Sequence, residues 1–391
     1  MSLSFNAPGR RVLATGFLVA CLAPGLGLAQ PAPTPTPNPD PSKADAPKPA
    51  APSGVMIRVG DTANVKFGLL LQPQADWTQS APSYGYVQNL FIRRARFLVG
   101  GQMAKNLYFF WETENSRLGQ ATATTGKSLT SGFQTLDAAA EWRPLKEFNL
   151  QAGLIRVPTS REALKSAATS FALDTSAYAF TATAAAGGNA AGRDTGVMAR
   201  GFFANDHFEY RFGGFQGSKD SAAHNSLRWI GRVQYNLIDT EPYAFPSYSA
   251  NNLATKRIIA FGAALDTQKD YKGLSADMFV DYALGAGALL STIQYQYLDG
   301  GTTFSTLARS NVFTVEAGYY CKESRLGMYG RYEQREYTAA DDKNERRALL
   351  GVNYYPFGSH NLNLKAAYGV LYPPKGSNTR QFTIQLQAYY F

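Results

Sequence analysis

Cysteine is almost missing from this chain. Cys21 and Cys321 stand far apart in 391 residues, so no disulfide framework holds the fold. Histidine is nearly as scarce: His207, His224 and His360 are all there is. No Ser/His/Asp constellation assembles around them and no Cys/His spacing of a zinc site occurs, so neither an enzyme nor a cofactor or metal protein is expected. Long apolar runs are absent too; none approaches the ~20 residues of a membrane-spanning helix. Charged residues make up 17% and give a formal +9, of which about +7 remains once Arg10 and Arg11 are set aside. The basic residues are dispersed rather than gathered into one patch, which excludes nucleic acid as a partner and leaves an anionic membrane surface or an anion pathway.

Tyrosine and phenylalanine are plentiful, with 23 and 24 copies. Both favour strands, and tyrosine also suits a membrane interface. The first residues read as an export signal: Arg10-Arg11, an apolar stretch from Val12 to Leu22, then small residues at Gly27-Leu28-Ala29. Cleavage after Ala29 makes 1–29 a signal peptide. The alternative is a lipobox at Leu18-Val19-Ala20-Cys21, with Cys21 lipidated. Residues 30–54 carry nine prolines among Ala, Thr, Ser and Lys. Fixed φ and missing N–H donors leave an extended linker there.

From Val55 to Phe391 apolar and polar residues alternate over stretches of roughly ten. Trp229, Val233 and Tyr235 oppose Arg228, Arg232 and Gln234; Leu362, Leu364 and Ala366 oppose Asn363, Lys365 and Ala367. Successive side chains of a strand point to opposite faces, so each stretch has one apolar and one hydrophilic face. In a soluble sandwich the apolar face is the core; in a membrane barrel it meets lipid and the polar face lines a wet lumen. Polar faces rich in Arg, Lys, Gln and Glu, apolar faces ending in aromatics, and connections of alternating length (turn 358–360 against loops 117–132 and 372–378) favour the barrel. About sixteen strands fit between residues 62 and 391, enough to enclose an aqueous channel. Residues 158–192, rich in Ala, Ser and Thr, do not alternate and form a candidate inward-folding constriction loop. The expected fold is thus an all-β, transmembrane antiparallel barrel over 55–391.

Strand phase turns Lys66, Arg94, Arg96, Arg200, Arg211, Arg228, Arg232, Arg331, Arg335 and Lys365 into the lumen. Charged rings in a water-filled pore set ion selectivity, and arginine can chelate phosphate or carboxylate. The same arginines can instead pair with lumenal acids, for which Glu112, Glu114, Glu209, Asp277, Asp281, Glu316 and Glu333 are available. In the loop, Arg161 and Lys165, four apart, are the constriction candidates, while Arg193 with Asp194 reads as an anchor to the wall. The outer loops hold scattered basic residues with Asp often adjacent, so weak anion preference is expected rather than a tight phosphate trap.

Several passages resemble the phosphate-selective porin O and P family: Phe91-Ile92-Arg93-Arg94-Ala95-Arg96-Phe97, Gly153-Leu154-Ile155-Arg156-Val157-Pro158 with Ser160-Arg161-Glu162, Gly192-Arg193-Asp194-Thr195-Gly196-Val197, and Gly351-Val352-Asn353-Tyr354-Tyr355-Pro356. The resemblance implies a sixteen-stranded outer-membrane porin, a homotrimer whose third outer loop narrows a channel for small anions such as phosphate. It also implies a closing aromatic, here Phe391, read by the outer-membrane assembly machinery, although Phe391 falls in phase with the polar face. A non-catalytic structural or adhesive barrel is the alternative.

Overall fold

The computed structural model describes residues 55–79, 85–122, 126–127, 129, 132–186, 191–219, 224, 226–338 and 343–391. The expected signal peptide and proline-rich linker lie outside them. A short strand Met56–Val59 pairs with the start of the first barrel strand. The barrel itself has sixteen antiparallel strands. They are β1 (Ala63–Gln79), β2 (Tyr86–Ala104), β3 (Leu107–Leu118), β4 (Gln134–Trp142), β5 (Asn149–Arg156), β6 (Arg193–Phe203), β7 (Phe208–Phe215) and β8 (Arg228–Asn236). The second half comprises β9 (Arg257–Gln268), β10 (Tyr271–Leu284), β11 (Gly287–Asp299), β12 (Ser310–Cys321), β13 (Leu326–Tyr337), β14 (Glu345–Tyr354), β15 (Leu362–Tyr372) and β16 (Thr379–Tyr390). β16 pairs with β1 from Gln381↔Thr78 to Tyr390↔Leu69, and the sheet closes.

Closure removes every unpaired edge, the condition for a sheet to lie in lipid. No described helix is long and apolar enough to cross a membrane. Burial is inverted relative to a soluble domain. Phe97, Trp229, Val233, Leu265, Leu274, Tyr295, Leu350 and Leu364 are exposed on the outer face. Arg96, Glu141, Arg200, Arg228, Gln294 and Lys365 are buried inside. The alternation read from the sequence therefore has its apolar face outward.

Connections at one mouth are short, such as the Lys105-Asn106 turn, where Asn106 takes φ 63°. One is not: residues 237–256, between β8 and β9, fold into the barrel from this mouth. From the other mouth residues 157–186, after β5, do the same. The two meet inside. Tyr248 donates its amide to Leu164 O at 2.9 Å, and Ser166 returns one to Tyr248 O at 2.8 Å. These segments cover several apolar residues on the inner face of the wall. Phe171 packs on Tyr329 and Tyr320, and Tyr178 and Ala182 lie in one cluster with Tyr271 and Leu298.

Candidate permeation path

The third outer loop begins after Pro158 with a single helical turn, α1 (Arg161–Leu164), capped by Ser160 Oγ, which accepts from Ala163 N at 3.2 Å. The expected turn is present, but Arg161 does not face open space. Its guanidinium makes two hydrogen bonds to Glu241, at 2.6 and 2.9 Å, and lies between the rings of Tyr248 and Phe279, 4.1 and 4.2 Å from their centroids. It is fully buried and lines neither cavity described below; the acid that binds it comes from the segment 237–256, which the sequence had not marked. Lys165 pairs with Glu162 at 2.6 Å and does line the outer cavity.

Arg193 holds the loop exit through Asp137 on β4, at 2.6 Å, and donates to Ala191 O. Asp194 accepts from the amides of Thr195 and Gly217. Further in, Asp174 bridges Arg93 and Arg94, each at 2.5 Å. Burial pushes the Asp174 carboxyl up, but Arg94 and Arg93 outweigh it and hold it well below the usual carboxylate range. Lys365 fixes the middle of the loop by donating to Ser170 O at 2.6 Å and Ala172 O at 3.2 Å.

The inward basic residues fall into two groups. Arg200 pairs with Glu141, Arg211 with Glu209, Arg228 with Asp266 and Arg232 with Asp277, at 2.5–2.9 Å. These four lie on β6–β8, packed among the inward segments; Arg200, for example, also donates to Ala244 O at 2.8 Å. They line neither of the two cavities described next. Arg94, Arg96 and Arg331 do line the outer one. Arg96 bonds Glu112 at 2.7 Å and Glu114 at 2.5 Å, and Arg331 bonds Glu316. Lys66 sits 4.9 Å from the Phe391 ring centroid, and Arg335 bonds Ser310 Oγ at 3.3 Å and stacks on Tyr337. Asp281 has no basic partner among the described residues and accepts from Asn252 instead.

The open space lies mainly beside β1–β5 and β13–β16. An outer cavity of about 660 Å³ is lined by nine Arg or Lys and four Asp or Glu. A second, of about 210 Å³, lies among β1–β3, Ser166–Thr169 and Phe245–Ser249. Arg96 and Arg156 line both, which places them at the junction.

Arg156 lies in one of the resembling passages but outside the strand-phase candidates, and it is the distinctive one. Its guanidinium donates to Lys165 O at 3.2 Å; Nε has no partner, and no ion pair holds it among the described residues. Gly153, with φ +122°, breaks the regular pleat three residues earlier, so alternation could not have given its direction. Arg93 was missed for a similar reason. A bulge opposite Gln72/Pro73 inserts it as an extra residue in β2 and re-aims it toward Asp174.

This inside-out barrel, with a polar interior rich in basic residues and narrowed by an inward outer loop, defines the porin class of fold. Residues 67–237 match the family model of phosphate-selective porin O and P. Three of the four resembling passages fall within that match; Gly351–Pro356 lies beyond it. The fold is similar to the anion-selective porin from Comamonas acidovorans, at 12% identity over 84% of this chain and all of that one, TM-score 0.53. It is also similar to Salmonella typhi OmpF in complex with daunomycin, at 12% over 86% of this chain and all of that one, TM-score 0.58. The high-pH structure of Pseudomonas putida OprB gives 9% over 83% of this chain and 94% of that one, TM-score 0.57. At such identities these neighbours speak for the fold alone. No curated protein matches the sequence.

Proposed function

We propose that the chain is a bacterial outer-membrane porin through which small hydrophilic solutes diffuse, with a preference for anions. The observation that carries the anion preference is the lining of the outer cavity, nine basic against four acidic side chains, ending on Arg156, which has no ion-pair partner among the described residues. An excess of fixed positive charge between low-dielectric walls raises the local anion concentration. Most of the arginines are already engaged by carboxylates, which keeps the preference weak. Phosphate is the anion named by the matching family, and the neighbour from Comamonas acidovorans is itself described as anion-selective.

Assembly as a homotrimer is part of the proposal; a Vibrio cholerae OmpT of similar fold (10% identity, TM-score 0.53) is described in a trimer form. Delivery by the outer-membrane assembly machinery follows from the same reading. The test is refolding into a planar bilayer. Stepwise conductance, in groups of three for a trimer, supports a channel. A membrane-inserted protein that conducts nothing would point to a structural or adhesive barrel.

A further inference from the structure

Below Arg96 and Arg156 the passage changes character. The inner cavity is walled by Leu70, Leu98, Phe110, Phe245, Tyr389 and Phe391. Phe110 meets the Phe391 ring edge-on at 5.5 Å and that of Phe245 at 6.3 Å. On the opposite wall, apolar residues are covered by an inward segment, as Phe171 covers Tyr329. Here apolar and aromatic surface from three parts of the chain (β1–β3, the end of β16 and the segment 237–256) bounds a cavity. Glu112 also reaches it, but is held by Arg96 at 2.7 Å, which leaves Arg156, with an unpartnered Nε and no ion pair among the described residues, as the cation to receive a ligand.

Ser166, Thr169, Ser247 and Ser249 also line the cavity, but an inorganic anion gains nothing from its larger apolar share, where it gives up hydration without receiving hydrogen bonds in exchange. An anion with an apolar body gains twice. Its carboxylate can take two parallel hydrogen bonds from a guanidinium, and its body can replace water against the rings. A mostly apolar cavity with a few convergent polar and charged groups is the usual form of a small-molecule site. At about 210 Å³ this one is smaller than the sites that hold drug-sized ligands, which restricts the occupant to a small acid.

We propose that the inner cavity is a binding site for small monocarboxylic acids with an aromatic or branched apolar body. Arg156 holds the carboxylate, and Phe110, Phe245 and Phe391 hold the body. The proposal rests on the anion-channel reading and narrows its solutes from anions in general to organic acids.

The full chain, refolded in a planar bilayer in potassium chloride, is titrated separately with benzoate, formate and inorganic phosphate. Benzoate is expected to reduce chloride current at a concentration roughly tenfold lower than formate or phosphate, as one well-filled apolar pocket discriminates. Phe245→Ser, on the inward segment and outside the barrel wall, is expected to erase most of that advantage. Phe110→Ser repeats the test from the wall. Equal block by formate and benzoate, or a Phe245→Ser channel that keeps the benzoate advantage, overturns the site. A cation-selective zero-current potential of the unaltered protein sinks the anion-channel reading instead, so the two failures are told apart.

Discussion

At Arg161 the guanidinium is saturated by the protein itself, with Glu241 on its edge and two rings on its faces. Arg161→Leu leaves Glu241 buried without its cation and is expected to cost about 3–5 kcal/mol, read as a lower denaturant midpoint of the folded barrel. Arg161→Leu with Glu241→Leu together is expected to recover most of that, since an apolar pair can replace a buried ion pair; a double variant as unstable as the single one would refute the assignment. His360, in the turn after β14, donates to Asn251 O at 2.8 Å. Burial, with Lys365 nearby, lowers its pKa to about 4 against the pull of that bond. Between about 6.5 and 4 the unfolded chain then binds a proton that the folded chain does not. Stability is therefore expected to fall as pH falls through this window, and His360→Gln is expected to remove that slope in acid unfolding curves. Strand phase foretold that Arg94, Arg96 and Lys365 point inward. It could not foretell which arginines would be neutralised, because most of the pairs, such as Arg200 with Glu141, join different strands and depend on their register.

Two elements fill the interior, and only one announced itself. Residues 158–192 lose alternation over a long stretch, which marked them. Residues 237–256 lie where a short turn is the rule for this fold, and their inward course depends on contacts with α1, Glu209 and Asn361's neighbour His360 rather than on local pattern. Replacing 239–254 with a short turn removes Glu241, Phe245 and Tyr248 together. Conductance is expected to rise by about twofold, and the outer loop to become sensitive to protease; unchanged conductance would mean that this segment does not narrow the passage. At the seam, a Cβ added to Gly68 would lie 2.6 Å from both Tyr390 O and the Phe391 ring. Gly68→Val is accordingly expected to displace Phe391 and lower the refolding yield, which a gel-shift folding assay measures. Phe391 points inward onto Lys66 and Phe110, in keeping with its polar-face phase.

For the whole molecule, the fold was legible because a period of two, repeated about sixteen times with no spanning helix, has few solutions in which all backbone groups are paired. Exposed Leu350 at 68% and buried Arg200 at 0% show which side faces lipid. The permeation path was less legible, since its position depends on which part of the lumen the two inward segments leave open. The central claim is that ions pass the junction at Arg156. It is tested most directly by the zero-current potential of the refolded protein under a potassium chloride gradient, measured beside that of Arg156→Glu. The account predicts an anion-side potential for the unaltered protein and a shift to the cation side for the variant. An identical potential for both would contradict it, and would place the selective charge elsewhere in the barrel.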